Sequence, residues 1–233
     1  DFHMLIEQKA KSDSHLFMNF NGTAGIWKRD CIEDAGGWHT ATLVEDLDLS
    51  YRAQLKGWKC VFLPDIVVDA ELPAQMNAAK RQQFRWAKGS IQCATKLLLD
   101  ITVQRKMSIE AKIQAFIQLT RHIVYPLILI QFLAMPILLA GQVNLYVVSF
   151  LPAISFVTYL AMGPGAYILI IRNMYGKSWK SKAKLLPALL VYNAGMSVNN
   201  TVAVFDALFG RKNEFLRTPK YGIVNKEDDW KGK

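Results

Sequence analysis

Residues 80–90 read Lys80-Arg81-Gln82-Gln83-Phe84-Arg85-Trp86-Ala87-Lys88-Gly89-Ser90. At helical spacing Gln82, Arg85 and Trp86 share one face, so an amide, a guanidinium fork and an indole point together. Such a trio suits a phosphorylated sugar. Arg holds a diphosphate bidentately, Gln hydrogen-bonds hydroxyls, and Trp offers a flat apolar surface on which a pyranose ring stacks. The same residues also fit a solvated basic helix with a half-buried Trp at a membrane surface. Their surroundings have to separate the two readings.

Outward from this stretch the composition changes sharply. The chain of 233 residues is 52% hydrophobic, too apolar for an average soluble domain. The excess is localised, because no charged residue occurs from Ile123 through Ile171. At about 20 residues per span, that is room for two membrane helices joined by a tight turn. The net charge of +9 lies mostly on the flanks of this run, in Lys80 to Lys106 and in Arg172 to Lys184. Basic flanks around an uncharged turn near Gly141 to Asn144 place both ends on the cytoplasmic side. Nucleic acid is not an expected partner, since no aromatic-interleaved repeat or zinc spacing accompanies the charge.

Cys31, Cys60 and Cys93 are odd in number and far apart, which implies neither a disulfide framework nor a metal cluster. They read as reduced, packed thiols. His3, His15, His39 and His122 show no ligand spacing. The opening Asp1-Phe2-His3-Met4 has no basic region followed by an apolar core, so it does not read as a signal peptide. So abrupt a start leads us to expect a fragment.

Toward the N-terminus, Met4 to Lys11 reads as the end of a helix and Leu16 to Phe20 as a short strand. Asn21-Gly22-Thr23-Ala24-Gly25 is a small-residue turn, where glycines admit a ligand close to the backbone and Asn and Thr direct polar groups at it. Arg29 to Ala35 predicts a short helix stopped by Gly36-Gly37. Leu47, Tyr51 and Leu55 recur at i, i+4, i+8, so Glu45-Asp46-Leu47-Asp48 opens an amphipathic helix ending at Gly57. Asp48 reads as a helix-dipole partner. Asp46, at a strand-to-helix junction, is placed to act as a general base. Trp58 to Leu63 and Ile66 to Glu71 predict two strands split by Pro64-Asp65. Strand and helix alternate here, which indicates part of an α/β sandwich whose N-terminal half is expected upstream.

Toward the C-terminus, Ile91 to Arg121 is amphipathic and reads as helix lying in the headgroup region. Membrane spans are expected at about His122 to Ala140 and Leu145 to Ile171. Lys184 to Phe209 is apolar but carries Asn193, Asn199, Asn200 and Asp206, which are costly facing lipid. It reads as an interfacial or broken helix, with a third span as the alternative. Phe215-Leu216-Arg217-Thr218-Pro219-Lys220-Tyr221-Gly222 is a cationic turn with a hydroxyl, suited to phosphates, and Lys226 to Lys233 is a charged tail.

Taken together, Phe20-Asn21-Gly22-Thr23-Ala24-Gly25, Val44-Glu45-Asp46, Gln82-x-x-Arg85-Trp86 and Phe215-x-Arg217-Thr218-x-Lys220 resemble the ordered motifs of processive family 2 glycosyltransferases, the cellulose synthase-like enzymes. Val44-Glu45-Asp46 stands where the family usually has Thr-Glu-Asp, a variant similar to the plant mannan and xyloglucan-backbone synthase-like branches. The resemblance implies the C-terminal half of an α/β GT-A domain at residues 1–100 and an interfacial amphipathic helix at 101–121. It implies next a transmembrane hairpin at 122–172, a basic loop with an interfacial or broken helix at 173–212, and a gating-loop-like segment with the tail at 213–233. It implies an integral membrane protein of a plasma, inner or Golgi-type membrane, with its catalytic part and C-terminus cytoplasmic.

In that scheme a sugar passes with inversion from a nucleotide-sugar donor, of the UDP-glucose or GDP-mannose class, to a β-linked glycan. Asp46, with Glu45 beside it, is catalytic, and Asp46 takes the proton of the acceptor hydroxyl. Gln82, Arg85, Thr218 and Lys220 hold the donor diphosphate; Trp86, Asn21, Gly22 and Thr23 form the acceptor side. Mg²⁺ or Mn²⁺ is expected on a D-x-D upstream of Asp1, and no metal ligand is expected within the chain. Asp46-Leu47-Asp48 is formally a D-x-D, but side chains two apart on a helix diverge by about 200° and do not grip one ion. Transfer of one sugar to a lipid acceptor uses the same donor chemistry. A non-catalytic transporter or assembly subunit is a rival from another class, against which stands the lack of an internal repeat.

Overall fold

A computed structural model describes residues 3–22, 24–141, 164–215 and 217–222. The chain divides into two compact units, one of residues 1–124 with 199–233 and the other of residues 125–198.

In the first unit a π-helical turn, His3–Gln8, runs into α1 (Lys9–Asp13), followed by α2 (Arg29–Asp34), α3 (Glu45–Leu55), α4 (Met76–Val103) and α5 (Ile109–Thr120). The expected glycine stops are in place: Gly36, Gly37 and Gly57 take φ of 86°, 76° and 95°, which a side chain disfavours. Helix α4 is the axis. Its apolar face, Cys93, Ala94, Leu97 and Ile101, packs with Tyr51 of α3 and with Ala111, Ala115 and Leu119 of α5. Alanines at i and i+4 let α5 lie close along it, and the Ser108 hydroxyl caps α5 by accepting from Ala111 N–H at 3.2 Å. Leu49 and Ala53 of α3 pack in turn on Cys31 and Ala35.

The expected strands are not formed; among the described residues there is none. Leu16 to Phe20 is extended, but apart from Leu16 N–H, which donates to Lys11 O at 2.9 Å, the partners of its backbone groups are side chains. Gln54 Oε1 accepts from Met18 N–H at 2.9 Å and Gln54 Nε2 donates to Met18 O at 2.7 Å, as a neighbouring strand would. Phe20 N–H goes to Ser50 Oγ at 2.8 Å. Residues 58–63 and 66–71 are also without a ladder, and Val61, Leu63, Ile66, Val67 and Val68 are exposed. An extended segment becomes a strand only where a second one takes its N–H and C=O groups.

Element boundaries toward the uncharged run also differ from expectation. The motif helix does not end near residue 100: α4 continues to Val103, so the expected interfacial helix at 101–121 is the last turn of α4, a short connection and α5. From α5 the chain passes through a 3-10 turn, Arg121–Ile123, into α6 (Val124–Ala140). The stretch Ile109–Ala134 is long and apolar enough to cross a membrane. In the second unit α7 (Ala166–Tyr175) covers the end of the second expected span, most of which, with the turn after Gly141, lies outside the described residues. A 3-10 turn and α8 (Trp179–Ala183) lead to α9 (Leu186–Leu208), which is one continuous helix, not a broken one. Polar residues of its C-terminal half face protein: Asn200, Thr201 and Asp206 are buried, and Val204 and Ala207 pack on Ile91 of α4, whereas Asn193 is exposed.

Candidate active site

The first turn of α3 carries the acidic pair. Asp46 Oδ2 accepts from Gly22 N–H at 2.8 Å and Oδ1 from Leu47 N–H at 2.8 Å. Burial, the largest influence, pushes its carboxyl pKa above the ordinary value; the two N–H bonds oppose this and neighbouring Glu45 adds to it. The structure thus brings Asp46 against the small-residue turn. Gly22 bends that turn at φ 59°, and Ser50 ties it to α3, its hydroxyl donating to Asp46 O at 2.6 Å while accepting Phe20 N–H. Asn19 Nδ2 donates to Asn21 Oδ1 at 2.7 Å. Glu45 is exposed at the head of the helix, and Thr23 lies outside the described residues. A half-buried carboxylate whose pKa burial raises, set beside a glycine turn, can take a proton from a hydroxyl.

Asp48 points elsewhere. It is fully buried and forms ion pairs with Arg52 Nε at 2.8 Å and Lys96 Nζ at 2.6 Å. Arg52 also donates to Ala35 O and to Gly37 O, which fixes the turn after α2. Asp48 is therefore more than a dipole partner; it joins α3 to α4. Its oxygens are taken by cations and those of Asp46 by backbone N–H groups, so the two do not fit one metal ion. No group of three His, Cys, Asp or Glu suited to a metal occurs among the described residues.

Helix α4 meets the acidic junction at Gly89. A Cβ there would lie 2.5 Å from Val44 Cγ2 and 2.8 Å from Val44 Cγ1, so only glycine admits this approach. One turn earlier stand the three motif residues. Arg85 lines an open cleft of about 560 Å³ with Lys80, Arg81, Phe84, Asn77 and Asn199 among its walls. Gln82 and Trp86 do not line that cleft, and the Trp86 ring is 42% exposed. The structure thus separates the trio, leaving the guanidinium with other cations and the indole open to solvent. Among the described residues no hydrogen bond links Asp46 to these three side chains; Gly89 on Val44 is the connection.

The segment after α9 folds back along α4. Arg85 lies 4.7 Å over the Phe215 ring. Lys220 Nζ donates to Glu71 O at 2.6 Å, and the Glu71 carboxylate accepts Tyr221 N–H at 2.8 Å and Gly222 N–H at 3.1 Å. Thr218 is half-buried on the same segment. Lys220 is thus brought near α4 but engaged by Glu71. Sequence reasoning missed Glu71, and it missed Lys88. The latter is fully buried, its ammonium donating to Arg211 O at 2.5 Å and to Asn213 Oδ1, and burial, opposed by Asp206, lowers its pKa. Ala, Gly and Ser around a lysine are the composition of a buried helix face, the one signal that could have revealed it.

Residues 2–169 match the profile described as Glycosyl transferase family group 2. Over 95% of its length the chain is 33% identical to glucomannan 4-beta-mannosyltransferase 1 of Oryza sativa subsp. japonica, covering 41% of that protein. It is 31% identical over 96% of its length to glucomannan 4-beta-mannosyltransferase 9 of Arabidopsis thaliana, again covering 41%. With probable glucomannan 4-beta-mannosyltransferase 10 of Arabidopsis thaliana identity rises to 43%, over 48% of the chain and 20% of that protein. The chain spans about two-fifths of the length of the relatives it matches from end to end. No solved structure matches it.

Proposed function

The chain belongs to Glycosyl transferase family group 2, and from that premise we propose that it carries the acceptor side and membrane side of an inverting, processive glycosyltransferase of GT-A type. The relatives' names support mannosyl transfer to position 4 of a β-linked glycan, which makes the GDP-mannose class the donor of choice and UDP-glucose the alternative. The observation that carries the reading is the half-buried Asp46 carboxylate facing the Asn21–Gly22 turn. An acceptor hydroxyl held against that turn gives its proton to Asp46 as its oxygen attacks the anomeric carbon. The bond from that carbon to the diphosphate breaks with inversion, and the nucleoside diphosphate leaves.

Arg85 suits the departing diphosphate, Gln82, one turn earlier on α4 but outside that cleft, is the further donor-side candidate, and the exposed Trp86 suits stacking under the acceptor sugar. Thr218 and Lys220 join the donor only after Lys220 exchanges Glu71 for phosphate. The Mg²⁺ or Mn²⁺ of such a reaction is assigned to residues other than Asp46 and Asp48, whose oxygens are otherwise engaged. The apolar stretch Ile109–Ala134 supports an integral membrane protein whose product is passed toward the bilayer.

The test is Asp46→Asn in membranes carrying the full-length protein, assayed with a panel of labelled nucleotide sugars and glycanase digestion of the product. Transfer is expected to fall by about 10²–10⁴-fold with donor binding retained; near-parental turnover would remove Asp46 from the base role. A glycanase-sensitive polymer is the expected product, and a single-sugar lipid would overturn the polymerising reading.

A further inference from the structure

Gln118 faces inward on α5, 8% exposed, on a helix that turns Ile109, Ile113, Phe116 and Ile117 outward. Both ends of its amide are engaged. Oε1 accepts from the buried Lys11 ammonium at 2.8 Å and from Gln114 Nε2 at 2.6 Å, and Nε2 donates to Asn19 Oδ1 at 2.9 Å. Asn19 passes the link on, its Nδ2 donating to Asn21 Oδ1, and the next residue, Gly22, gives its N–H to Asp46. Gln8 Nε2 holds Asn19 from the other side, donating to Asn19 O at 2.7 Å. Buried amides with fixed donor and acceptor ends admit few arrangements, so the chain of bonds has direction as well as strength.

We propose that Gln118 is a positioning residue for transfer, which fixes the 19–22 turn and through Gly22 N–H the carboxylate of Asp46. The inference rests on Asp46 as the base. It ties the placement of α5, the helix that leads into the apolar stretch, to the geometry of proton removal at Asp46, which is 72 residues away in the chain (118 − 46) but only three hydrogen bonds away in space.

In membranes carrying the full-length protein, Gln118→Met keeps the length of the side chain and removes both amide ends. It should lower kcat by about tenfold to a hundredfold with donor KM unchanged. It should also move the acidic limb of the kcat profile to higher pH, because Gly22 N–H is one of the bonds that favour the charged form of Asp46. The titratable groups that interact with Asp46 are Glu45 on α3 and Cys93 on α4, and the variant leaves both in place. Asn19→Ser cuts the next link and should move the same limb in the same direction, with no further movement in the double variant. A stationary limb in either variant, or additive movement in the double one, overturns the proposal; should Gln118→Met fail to accumulate, Asn19→Ser alone decides. Asp46→Asn run in parallel separates the two readings. If it keeps turnover, the base assignment falls and this proposal with it; if it is inactive while the limb stands still, only the positioning role falls.

Discussion

Asp46 carries its charge at a cost to the fold. A carboxyl whose pKa rises on folding contributes stability that is full below the unfolded value and is lost as pH climbs through the folded one. Asp46→Asn, expected to be inactive, should therefore melt no lower than the parent at pH 7.5, with any advantage shrinking toward pH ~4, where the unfolded carboxyl titrates; melting of the solubilised protein at the two pH values checks it. Gly89 makes the opposite case. Gly89→Ala presses a methyl into Val44, which should cost about 1–3 kcal/mol and lower transfer by displacing the Glu45–Asp46 turn. A melt and an activity assay measure both losses, and Val44→Ala in the same chain should restore part of each. Of these residues the sequence made Asp46 and the small-residue turn legible, since a carboxylate at a junction and a glycine turn are local patterns. Gly22 N–H on Asp46 and the cage around Lys88 were not legible, because each joins residues far apart in the chain.

Helices α2 and α3 follow from periodicity and from the glycines that stop them, and α4 from the spacing of its motif face, all local signals. The extended segments were read as strands because their composition is that of strands, but pairing is not a local property. Gln54 occupies the place of the missing neighbour on residues 16–20, and nothing about one glutamine on an amphipathic helix announces that. Its contribution is testable. Gln54→Leu leaves Met18 N–H and C=O buried without partners, which should cost about 1–3 kcal/mol in melting and speed amide exchange at Met18. The motif face of α4 was legible as a face, but its division between cleft and solvent depends on Asn199 and Asn213, which come from distant sequence.

The first boundary between the two units falls at the start of the uncharged run and the second at Val198, past its end, so nearly all of that run belongs to one unit and the charged residues of the candidate site to the other. The proposed cytoplasmic site, with both ends of the run on the same side, predicts a topology. Cysteines introduced at Gly141 and at Lys177, in a chain whose own three are replaced, should react with an impermeant maleimide from opposite sides of sealed vesicles; reaction from one side would refute the hairpin. The Gln54 amide has a further consequence, for how copies of the chain behave toward one another. An apolar extended segment with open backbone groups is a template for another chain, and by filling those of Met18 the side chain blunts residues 16–20 as a sticky edge. Residues 61–68, with Val61, Leu63, Ile66, Val67 and Val68 exposed, have less cover, Phe62 N–H going to Ser12 Oγ at 3.3 Å, and it is there that misassociation of newly made chains would begin.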